Sequence, residues 1–424
     1  METNREMVNS GIPWIGDVPK SWKIVRNKDV FNNSKTLVGE NWINTQLLSL
    51  TTKGIKPVAI GSTSGKVPDS YETYQVVEKD NLVMCLFDLD CSAVFSGLSP
   101  ICGMISPAYK ALTIKKGYSP DFYAKWFDYI FDGRKFMFLS KNIRYSLTYD
   151  EFASLQVVAP SLSEQQRIAE FLDRKCCEID EMIGLQEQII EELKAYKQSV
   201  ITEAVTKGLN PAAPMRDSGI EWIGSIPEHW EVKRLKQESV FINGFAFDSE
   251  DFKIDDGVRV IRIGDIGLKA DFENCVRAIT NPNILTPYRI ENGDILIAMS
   301  GATTGKCCIV DEAEEAYINQ RVGIIRSDIR KIIYYSLQTP YFMEFVNLNN
   351  AGSAQPNISS KAIGEFPILN MPTIEQQAIA DYLDEKCADI DSLIQTKQSK
   401  IDSLKEYKKS IIYEYVTGKR EVLL

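Results

Sequence analysis

The chain has 424 residues, 44% of them hydrophobic and 25% charged, which is typical of a folded protein with two or three domains. No apolar run is long enough to span a bilayer, and residues 1–10 lack the apolar core of a signal peptide, so we expect a cytoplasmic protein without membrane contact. The formal net charge is −10, and even the most basic segment, residues 1–160, has 18 basic against 16 acidic side chains. A continuous basic face is therefore excluded.

Residues 1–160 form the first of four segments into which the sequence divides. Within them we predict β-strands at residues 82–87 and 111–114, where β-branched and apolar residues concentrate between turn signals. Aromatic residues at helical spacing predict an amphipathic helix at residues 122–131. The segment therefore mixes helix and strand, which indicates the α+β class.

Residues 161–208 form the second segment and predict one long helix. Pro160 with Ser161 or Ser163 begins it, Gly208 ends it, and the interior contains no proline. Apolar residues recur in steps of four and three, the mean period of 3.5 that a coiled coil requires. A helix of about 45 residues is roughly 67 Å long at 1.5 Å per residue.

Residues 209–372 form the third segment. An ordered or semi-rigid linker at residues 208–214 leads into it. It also predicts an α+β fold. Strands are predicted at four places with Gly boundaries, and an aromatic helix is predicted at residues 332–345. The four predicted strands lie at residues 258–263, 294–299, 307–310 and 322–325.

Residues 373–424 form the fourth segment and predict a second long helix, which Pro372 and Thr373 begin and Gly418 ends. Polar residues Gln186, Lys197, Lys397 and Lys408 interrupt the apolar seams of the two helices and would fix their register. We expect the two helices to pair with each other, antiparallel, as a coiled-coil spacer; pairing of each helix with a different protein is the alternative. The apolar seam residues are Leu172, Ile179, Ile183, Ile190, Leu193, Leu383, Ile390, Ile394, Ile401 and Leu404.

An internal duplication relates the four segments. Residues 9–19 recur at 217–227, a shift of 208, and the Glu-Gln-Gln of residues 164–166 recurs at 375–377, a shift of 211 that continues along both helices. Residues 30–140 and 240–350, in contrast, do not align. Two unlike blocks in one repeated, pseudo-twofold frame predict one fold with two specificities; simple drift after duplication is the alternative.

Two loops resemble phosphate-binding loops. Gly301-Ala-Thr-Thr-Gly305-Lys306 and Gly61-Ser-Thr-Ser-Gly65-Lys66 each have three residues between the glycines, whereas a P-loop needs four, followed by Gly-Lys and then Ser or Thr. Nucleotide hydrolysis is therefore not expected. We interpret both as small basic loops that lie against a DNA backbone. For residues 61–66 a plain hairpin turn is an equal alternative.

The ends of the two unlike blocks correspond at the shift of 211, which places Arg144 opposite Gln355. Arginine presents a bidentate pair of contacts to guanine in the major groove, and glutamine presents one to adenine. The alternative is that Leu147 and Ile358, also opposite each other, anchor a core strand and that their polar neighbours are incidental. The two interpretations are compatible.

The inventory of reactive residues argues against an enzyme. The one histidine, His229, takes the place of Ser21 in the other repeat, and no Asn/Asp-Pro-Pro-Tyr/Phe motif of an amino-methyltransferase occurs. Nine cysteines include no Cys-x-x-Cys spacing, which predicts reduced thiols and no metal site.

Several motifs together resemble the specificity subunit of type I restriction–modification systems. They are Ser10-Gly-Ile-Pro-Trp-Ile-Gly, its copy from Ser218, Gly293-Asp-Ile-Leu-Ile-Ala-Met-Ser-Gly, Gly352-Ser-Ala-Gln-Pro-Asn-Ile and the two Glu-Gln-Gln helices. The resemblance covers essentially the whole chain. It implies two target-recognition domains, residues 1–160 and 209–372, which read the two halves of a bipartite double-stranded DNA target.

The resemblance also implies the partners and cofactors. Two modification subunits would dock on the helical spacers, residues 161–208 and 373–424, and would bind S-adenosylmethionine. Restriction subunits, if present, would use ATP and magnesium, and this chain would hold no cofactor and have no catalytic site. The predicted docking residues are Glu164, Gln165, Gln166, Arg167, Phe171, Glu375, Gln376, Gln377 and Tyr382.

The predicted DNA-contacting residues are polar or basic and lie in the loops described above or near them. The first domain lacks the Gly-Asp-Ile-Leu and Gln-Pro-Asn-Ile forms of the second, so its contacts are less defined. A coiled-coil scaffold that does not bind DNA is the alternative function. The predicted residues are Lys53, Ser62, Ser64, Lys66, Lys141, Arg144, Ser146, Ser300, Thr303, Thr304, Lys306, Asn319, Gln320, Arg321, Ser353, Gln355 and Asn357.

Overall fold

A computed structural model describes most of the chain as two compact units. Unit 1 contains residues 1–187 and 399–424, and unit 2 contains residues 188–398. Each long helix therefore contributes one part to each unit instead of forming a separate spacer segment. The described residues are 5–34, 36–61, 68–89, 92, 94–132, 145–253, 256–350 and 356–422. Among them no helix is both long enough and apolar enough to cross a membrane.

Unit 1 is built on short antiparallel strands. A four-stranded sheet has the order β4-β11-β8-β9, and the pair β3·β12 brings the two ends of the block together. The strands are β1 Met7–Asn9, β2 Asp17–Pro19, β3 Lys23–Arg26, β4 Phe31–Asn33, β5 Leu48–Thr51, β6 Gly54–Pro57, β7 Gln75–Val77, β8 Leu82–Met84, β9 Ser96–Leu98, β10 Gly103–Ile105, β11 Lys110–Ile114 and β12 Gln156–Ala159.

The helices of unit 1 cover this sheet with aromatic side chains. They are α1 Asn27–Val30, α2 Pro120–Asp132, α3 Tyr149–Ser154 and the first part of α4 Leu162–Lys207. Phe122, Tyr123, Trp126 and Phe127 follow one face of α2 and are fully buried. The ring of Phe31 from β4 lies 5.4 Å from that of Tyr123. Burial of this stripe is what holds α2 to the sheet, and it confirms the predicted aromatic helix.

Unit 2 repeats the plan with a second sheet added. Its four-stranded sheet has the order β16-β23-β20-β21, and β15·β24 brings the block ends together. A further sheet, β17-β19-β18-β22, includes a parallel pair. The strands are β13 Met215–Asp217, β14 Ser225–Pro227, β15 Glu231–Arg234, β16 Val240–Asn243, β17 Phe252–Lys253, β18 Val258–Ile261, β19 Val276–Ala278, β20 Ile295–Ala298, β21 Cys307–Ile309, β22 Ala316–Ile318, β23 Val322–Arg326 and β24 Pro367–Asn370.

The helices of unit 2 are α5 Leu235–Glu238, α6 Pro282–Leu285, α7 Arg330–Ser336, α8 Pro340–Asn349, α9 Ser360–Gly364 and the first part of α10 Thr373–Val416. The single helix that we predicted at residues 332–345 is wrong, because it is two helices. Pro340 lacks an amide hydrogen and disfavours helical backbone in the residue before it, so it stands at the first position of a new helix.

The two unlike blocks share a sheet that their sequences do not reveal. Leu82 pairs with Leu112 in unit 1, and Ile295 pairs with Ile325 in unit 2, at the same places in sheets of the same strand order. The duplicated frame therefore extends into the blocks that do not align. The predicted strands at 82–87, 111–114 and the four places in the second block are confirmed, with ends that differ by a few residues.

The predicted helix seams are confirmed within each unit, since every seam residue is buried or half-buried. In unit 1 the Phe171 and Tyr415 rings lie 4.5 Å apart and Lys408 donates to Asp180 at 2.7 Å, so α4 and α10 run antiparallel there. In unit 2 Lys197 donates to Asp391 at 2.7 Å. The shift of 211 converts one ion pair into the other, which shows the duplication in the side chains that set the register.

Candidate nucleic-acid interface

The loop at residues 300–306 connects β20 to β21. Gly301–Thr303 forms one 3-10 turn, and the amides of Thr304, Gly305 and Lys306 donate to carbonyls of Gly301, Ala298 and Thr303. These amide groups are used inside the loop, so they do not form the open cradle that holds a phosphate in a P-loop. The exclusion of nucleotide hydrolysis agrees with this geometry.

Residues 356–358 lie directly against this loop. The Gly301 amide donates to the Pro356 carbonyl at 2.9 Å, and the Ile358 amide donates to the Met299 carbonyl at 2.9 Å. Ile358 is fully buried, as the prediction of a core anchor requires, whereas Asn357 beside it is exposed. The core anchor thus holds a polar neighbour at the surface.

Residues 319–321 complete the same surface from the turn between β22 and β23. The Met299 amide donates to the Arg321 carbonyl at 2.9 Å. A Cβ atom on Gly244 would lie 2.0 Å from the Asn319 carbonyl oxygen, so only glycine permits this close approach of the two backbone segments. Gln320 and Arg321 are exposed and Asn319 is half-buried.

Three segments that are far apart in the sequence therefore meet at one end of the β20 strand. They expose four polar or basic side chains, Lys306, Gln320, Arg321 and Asn357. We call this set the β20 face. Its chemistry, a lysine for phosphate and an arginine, a glutamine and an asparagine for base edges, suits contact with a DNA duplex.

The hydroxyl residues of the loop lie inside this face. Thr304 is buried, and its hydroxyl donates to the carbonyls of Gly301 and Pro356 at 2.7 and 3.2 Å. The half-buried Thr303 donates to the Ile263 carbonyl at 3.4 Å, and Ser300 is also buried. Thr304 therefore shapes the loop, whereas the buried Ser300 hydroxyl has no hydrogen-bond partner within the described residues, and contact of either residue with DNA stays a prediction.

The sequence patterns did not identify the turn at residues 262–265 as part of this surface. The turn lies beside the loop, because Thr303 donates a hydrogen bond to Ile263. Arg262 is exposed, and its Nε atom lies 3.6 Å from an Asp265 carboxylate oxygen. A basic residue near the end of the strand predicted at residues 258–263 was the available signal. Arg262 adds a third basic side chain next to Lys306 and Arg321.

In unit 1 the described candidates are Lys53 and Ser146. Lys53 is exposed in the turn of the β5–β6 hairpin. The Ser146 hydroxyl accepts a hydrogen bond from the Asp88 amide at 2.9 Å, and the Leu147 amide donates to the Leu86 carbonyl at 2.7 Å. Leu147 thus bonds to the backbone just after β8 in the same way that Ile358 bonds to the backbone just after β20. This confirms the predicted correspondence of the two positions.

The segment around Ser146 carries backbone strain. Asp88 and Tyr145 have φ angles of 46° and 48°, in the left-handed region that non-glycine residues avoid. Such strain is common where a binding surface is shaped.

The strand order identifies which loop of unit 1 matches the 300–306 loop of unit 2. The strands of unit 1 that match β20 and β21 are β8 and β9, and residues 85–95 connect them. Residues 61–66 instead fall between β6 and β7, so they are not the counterpart of residues 301–306. Seven predicted residues lie outside the described part of the chain: Ser62, Ser64, Lys66, Lys141, Arg144, Ser353 and Gln355.

Comparison with known proteins identifies the chain. The sequence model of the type I restriction modification DNA specificity domain matches residues 19–195 and 227–416. The chain belongs to this family. The two matched stretches correspond to the two repeats of the duplicated frame.

Relatives of the family are specificity subunits of type I restriction enzymes. The MjaVIII specificity subunit of Methanocaldococcus jannaschii is 29% identical over 282 residues, which cover 64% of this chain and 63% of the relative. The EcoKI specificity subunit of Escherichia coli K12 is 22% identical over 280 residues, which cover 63% of this chain and 58% of the relative. These alignments span less than two thirds of the relatives' length.

Two solved structures share the fold. A chain from work on complex assembly and conformational transition of the type I R-M system has a TM-score of 0.72 at 16% identity, covering 95% of this chain and 99% of that one. The HsdS subunit from Thermoanaerobacter tengcongensis has a TM-score of 0.50 at 17% identity, covering 95% of this chain and 98% of that one.

The Glu-Gln-Gln segments at the starts of α4 and α10 form hydrogen bonds with residues of their own units. Gln165 is fully buried: it accepts from the Ser119 amide and donates to the Pro160 carbonyl, both at 2.8 Å. The prediction that Gln165 docks a partner is therefore corrected. Gln376, half-buried, donates to the Met371 carbonyl in the same way at 2.8 Å.

The other seven predicted docking residues fall into three groups. Glu164 and Glu375 accept bonds from residues of their own units, and Phe171, Arg167 and Tyr382 are half-buried. Only Gln166 and Gln377 are fully exposed among the nine.

Within the described residues, no group of three or more His, Cys, Asp or Glu side chains is placed to hold a metal ion. The described cysteines are free thiols. Burial raises the pKa of the Cys308 thiol to about 12, so it stays protonated at neutral pH.

Proposed function

We propose that this chain is the DNA-recognition subunit of a type I restriction–modification complex and that each unit reads one half of a bipartite target. The observation that carries the proposal is the repeated frame with unlike surface loops. One sheet order is used twice, while the residues exposed around it differ. Two different recognition surfaces on equivalent supports are what an asymmetric two-part target requires.

The β20 face supplies the contacts in unit 2. Lys306 and Arg262 neutralise phosphates, and Arg321, Gln320 and Asn357 meet base edges in the major groove. Hydrogen bonds from the Thr303 and Thr304 hydroxyls to backbone carbonyls hold the loop in shape before DNA binds. The net charge of −10 limits the phosphate contacts that the chain can make alone, so partners must add positive charge.

The partners of the proposed complex are two modification subunits. Support comes from exposed apolar side chains on the long helices: unit 1 exposes Met182 and Tyr407, and unit 2 exposes Leu393 and Tyr196, their equivalents at the shift of 211. A surface that occurs twice suits two copies of one partner.

Catalysis and cofactors belong to the partners in this proposal. The modification subunits bind S-adenosylmethionine and methylate the DNA, and restriction subunits use ATP and magnesium. The chain itself contributes sequence recognition in the cytoplasm and no reacting group.

Substitution of the β20 face tests the proposal. The target is first defined by mapping methylated adenines in the source cell, and binding is measured with the assembled complex. Lys306→Ala is expected to weaken binding to all sequences and to reduce the salt slope by about 1, whereas Arg321→Ala is expected to relax the preference at one base pair. Lys20→Ala, which removes an exposed lysine paired with Glu6, is the control.

The isolated chain is expected to bind DNA weakly and to become specific only with modification subunits. Tight, salt-tolerant specific binding by the chain alone contradicts this part of the proposal. A complex that assembles but shows no preference among duplexes favours the scaffold alternative.

A further inference from the structure

The start of each long helix meets the same turn in both repeats. In unit 1 the Lys20 amide donates to the Glu6 carbonyl at 2.9 Å, and in unit 2 the Glu228 amide donates to the Pro214 carbonyl at 2.8 Å. These matched bonds fix the alignment residue by residue. Arg5, just before Glu6, therefore corresponds to Ala213.

In unit 1 the site is filled by Arg5 from the same chain. Its guanidinium lies 2.6 Å from Glu164 and 2.5 Å from Glu421, and its side chain is only 19% exposed. Burial alone lowers the pKa of Arg5, but the hydrogen bonds to Glu421 and Glu164 outweigh it and leave the pKa raised. One half-buried cation thus joins the start of α4 to the residues that follow α10.

In unit 2 the corresponding place is a cavity of about 370 Å³. Ala213, Asn210, His229 and Glu375 contribute to its lining, together with apolar atoms of Leu209 and Ile379. Glu375 corresponds to Glu164 at the shift of 211. Where unit 1 has the large side chain of Arg5, unit 2 has only the methyl group of Ala213.

The Glu375 carboxylate is held in a fixed position in this cavity. It accepts from the Trp230 indole N–H at 2.9 Å, and its other oxygen lies 2.6 Å from His229 Nε2. Each carboxylate oxygen has two lone pairs and each uses one here, so the group can still accept from a further donor. The preceding α4 helix ends at Lys207, and a helix C-terminus also favours a cation. Lys207 itself is exposed on the rim of the cavity.

We propose that the unit 2 cavity is a receptor site for a guanidinium group supplied from outside this chain, in the place that Arg5 fills in unit 1. The inference does not depend on DNA recognition. The same chemistry could come from an arginine side chain of a bound protein or from a small guanidinium compound. The planar group would hydrogen-bond to Glu375, and its alkyl stem would lie on Leu209 and Ile379.

A pair of isosteric probes tests the site on the full-length chain. N-acetyl-arginine amide carries the guanidinium, and N-acetyl-citrulline amide replaces it with an uncharged urea of the same shape. Titration calorimetry is expected to give about millimolar binding of the arginine probe and at least tenfold weaker binding of the citrulline probe. Glu375→Gln should weaken the arginine probe about tenfold, while Glu164→Gln should leave its affinity unchanged.

Equal affinity for the two probes, or no effect of Glu375→Gln, would overturn the proposal. A second variant guards against misfolding of Glu375→Gln. Ala213→Arg places a guanidinium in the cavity from within the chain, as in unit 1. It is expected to raise Tm and to abolish binding of the arginine probe; unchanged probe binding by a folded Ala213→Arg variant also contradicts the proposal.

The same variant separates the two sources. If the group comes from a modification subunit, Ala213→Arg should weaken association with that subunit, and the arginine probe should compete with it. If association is unchanged while the probe still binds wild type, the source is a small guanidinium compound.

Discussion

Neighbouring glutamines at the start of α4 have opposite environments. Gln165 is fully buried and satisfies two backbone groups, whereas Gln166 is exposed. Gln165→Ala is expected to destabilise the protein by about 2–3 kcal/mol, because the Ser119 amide and the Pro160 carbonyl lose their partner inside the protein. Gln166→Ala should change stability by less than about 0.5 kcal/mol. Chemical denaturation of both variants checks this; equal midpoints would mean that Gln165 has no structural role.

The ion pair between Arg5 and Glu421 predicts that the stability of the folded protein depends on pH. The hydrogen bond from Arg5 lowers the pKa of Glu421 below its ordinary value of 4.5. A lowered carboxyl pKa adds stability above the ordinary value, and that stability is lost as the pH falls through the folded-state pKa. Arg5→Ala is therefore expected to cost about 1–2 kcal/mol at pH 7.

The difference between wild type and Arg5→Ala should shrink as the pH falls below 4.5. Thermal unfolding of both proteins across this range measures it. Lys20→Ala removes an exposed pair with Glu6 and should show little effect at pH 7. A difference that grows in acid would contradict the assigned ion pair.

At the scale of elements, the common length of α4 and α10 can be changed. Insertion of four residues in both helices at the boundary of the units, after Glu187 in α4 and after Gln398 in α10, adds about 6 Å at 1.5 Å per residue, close to two base pairs of about 3.4 Å each. If the long helices set the distance between the half-sites, the non-specific spacer should lengthen while both half-site sequences stay the same. Four residues are nearly one helical turn, so the facing of the seam is only modestly disturbed.

Methylated adenines mapped for wild type and the insertion variant give the spacer directly. The same four residues inserted at the exposed turn of Lys116 and Gly117 are the control and should leave the spacer unchanged. A fully active insertion variant with an unchanged spacer would show that the helices do not set the distance between the half-sites.

At the scale of the whole molecule, the unlike blocks predict independent recognition. Exchange of residues 30–150 for the same block of a relative should change one half of the target only. The structure favours a second cut after residue 154, because α3 Tyr149–Ser154 is then exchanged whole and Leu155, whose carbonyl accepts from the Asn27 amide, stays in the retained frame. Methylation mapping reads out both halves; a simultaneous change in both would contradict independent domains.

Local patterns in the sequence determined the duplication, the two long helices and six strands of the blocks. Helix seams repeat every 3.5 residues and strands alternate over a few residues, so each is visible within a short window. The same reasoning failed at residues 332–345, where the apolar pattern continues across Pro340 although the backbone cannot. It also located the three segments of the β20 face, but not their meeting at one place.

Only the tertiary structure decided which of these residues share a surface and which are inside. Strand pairing joins residues far apart in the chain, so the common order of the two sheets is absent from any short window. Burial of Gln165, Ser300 and Thr304 depends on neighbours from other segments, and hydrophilic residues in a motif look alike whether they face solvent or the frame. The shift of 208 already pairs Arg5 with Ala213 in the sequence, but only the structure shows that Arg5 bonds to Glu164 and Glu421 and that the matching place in unit 2 is a cavity.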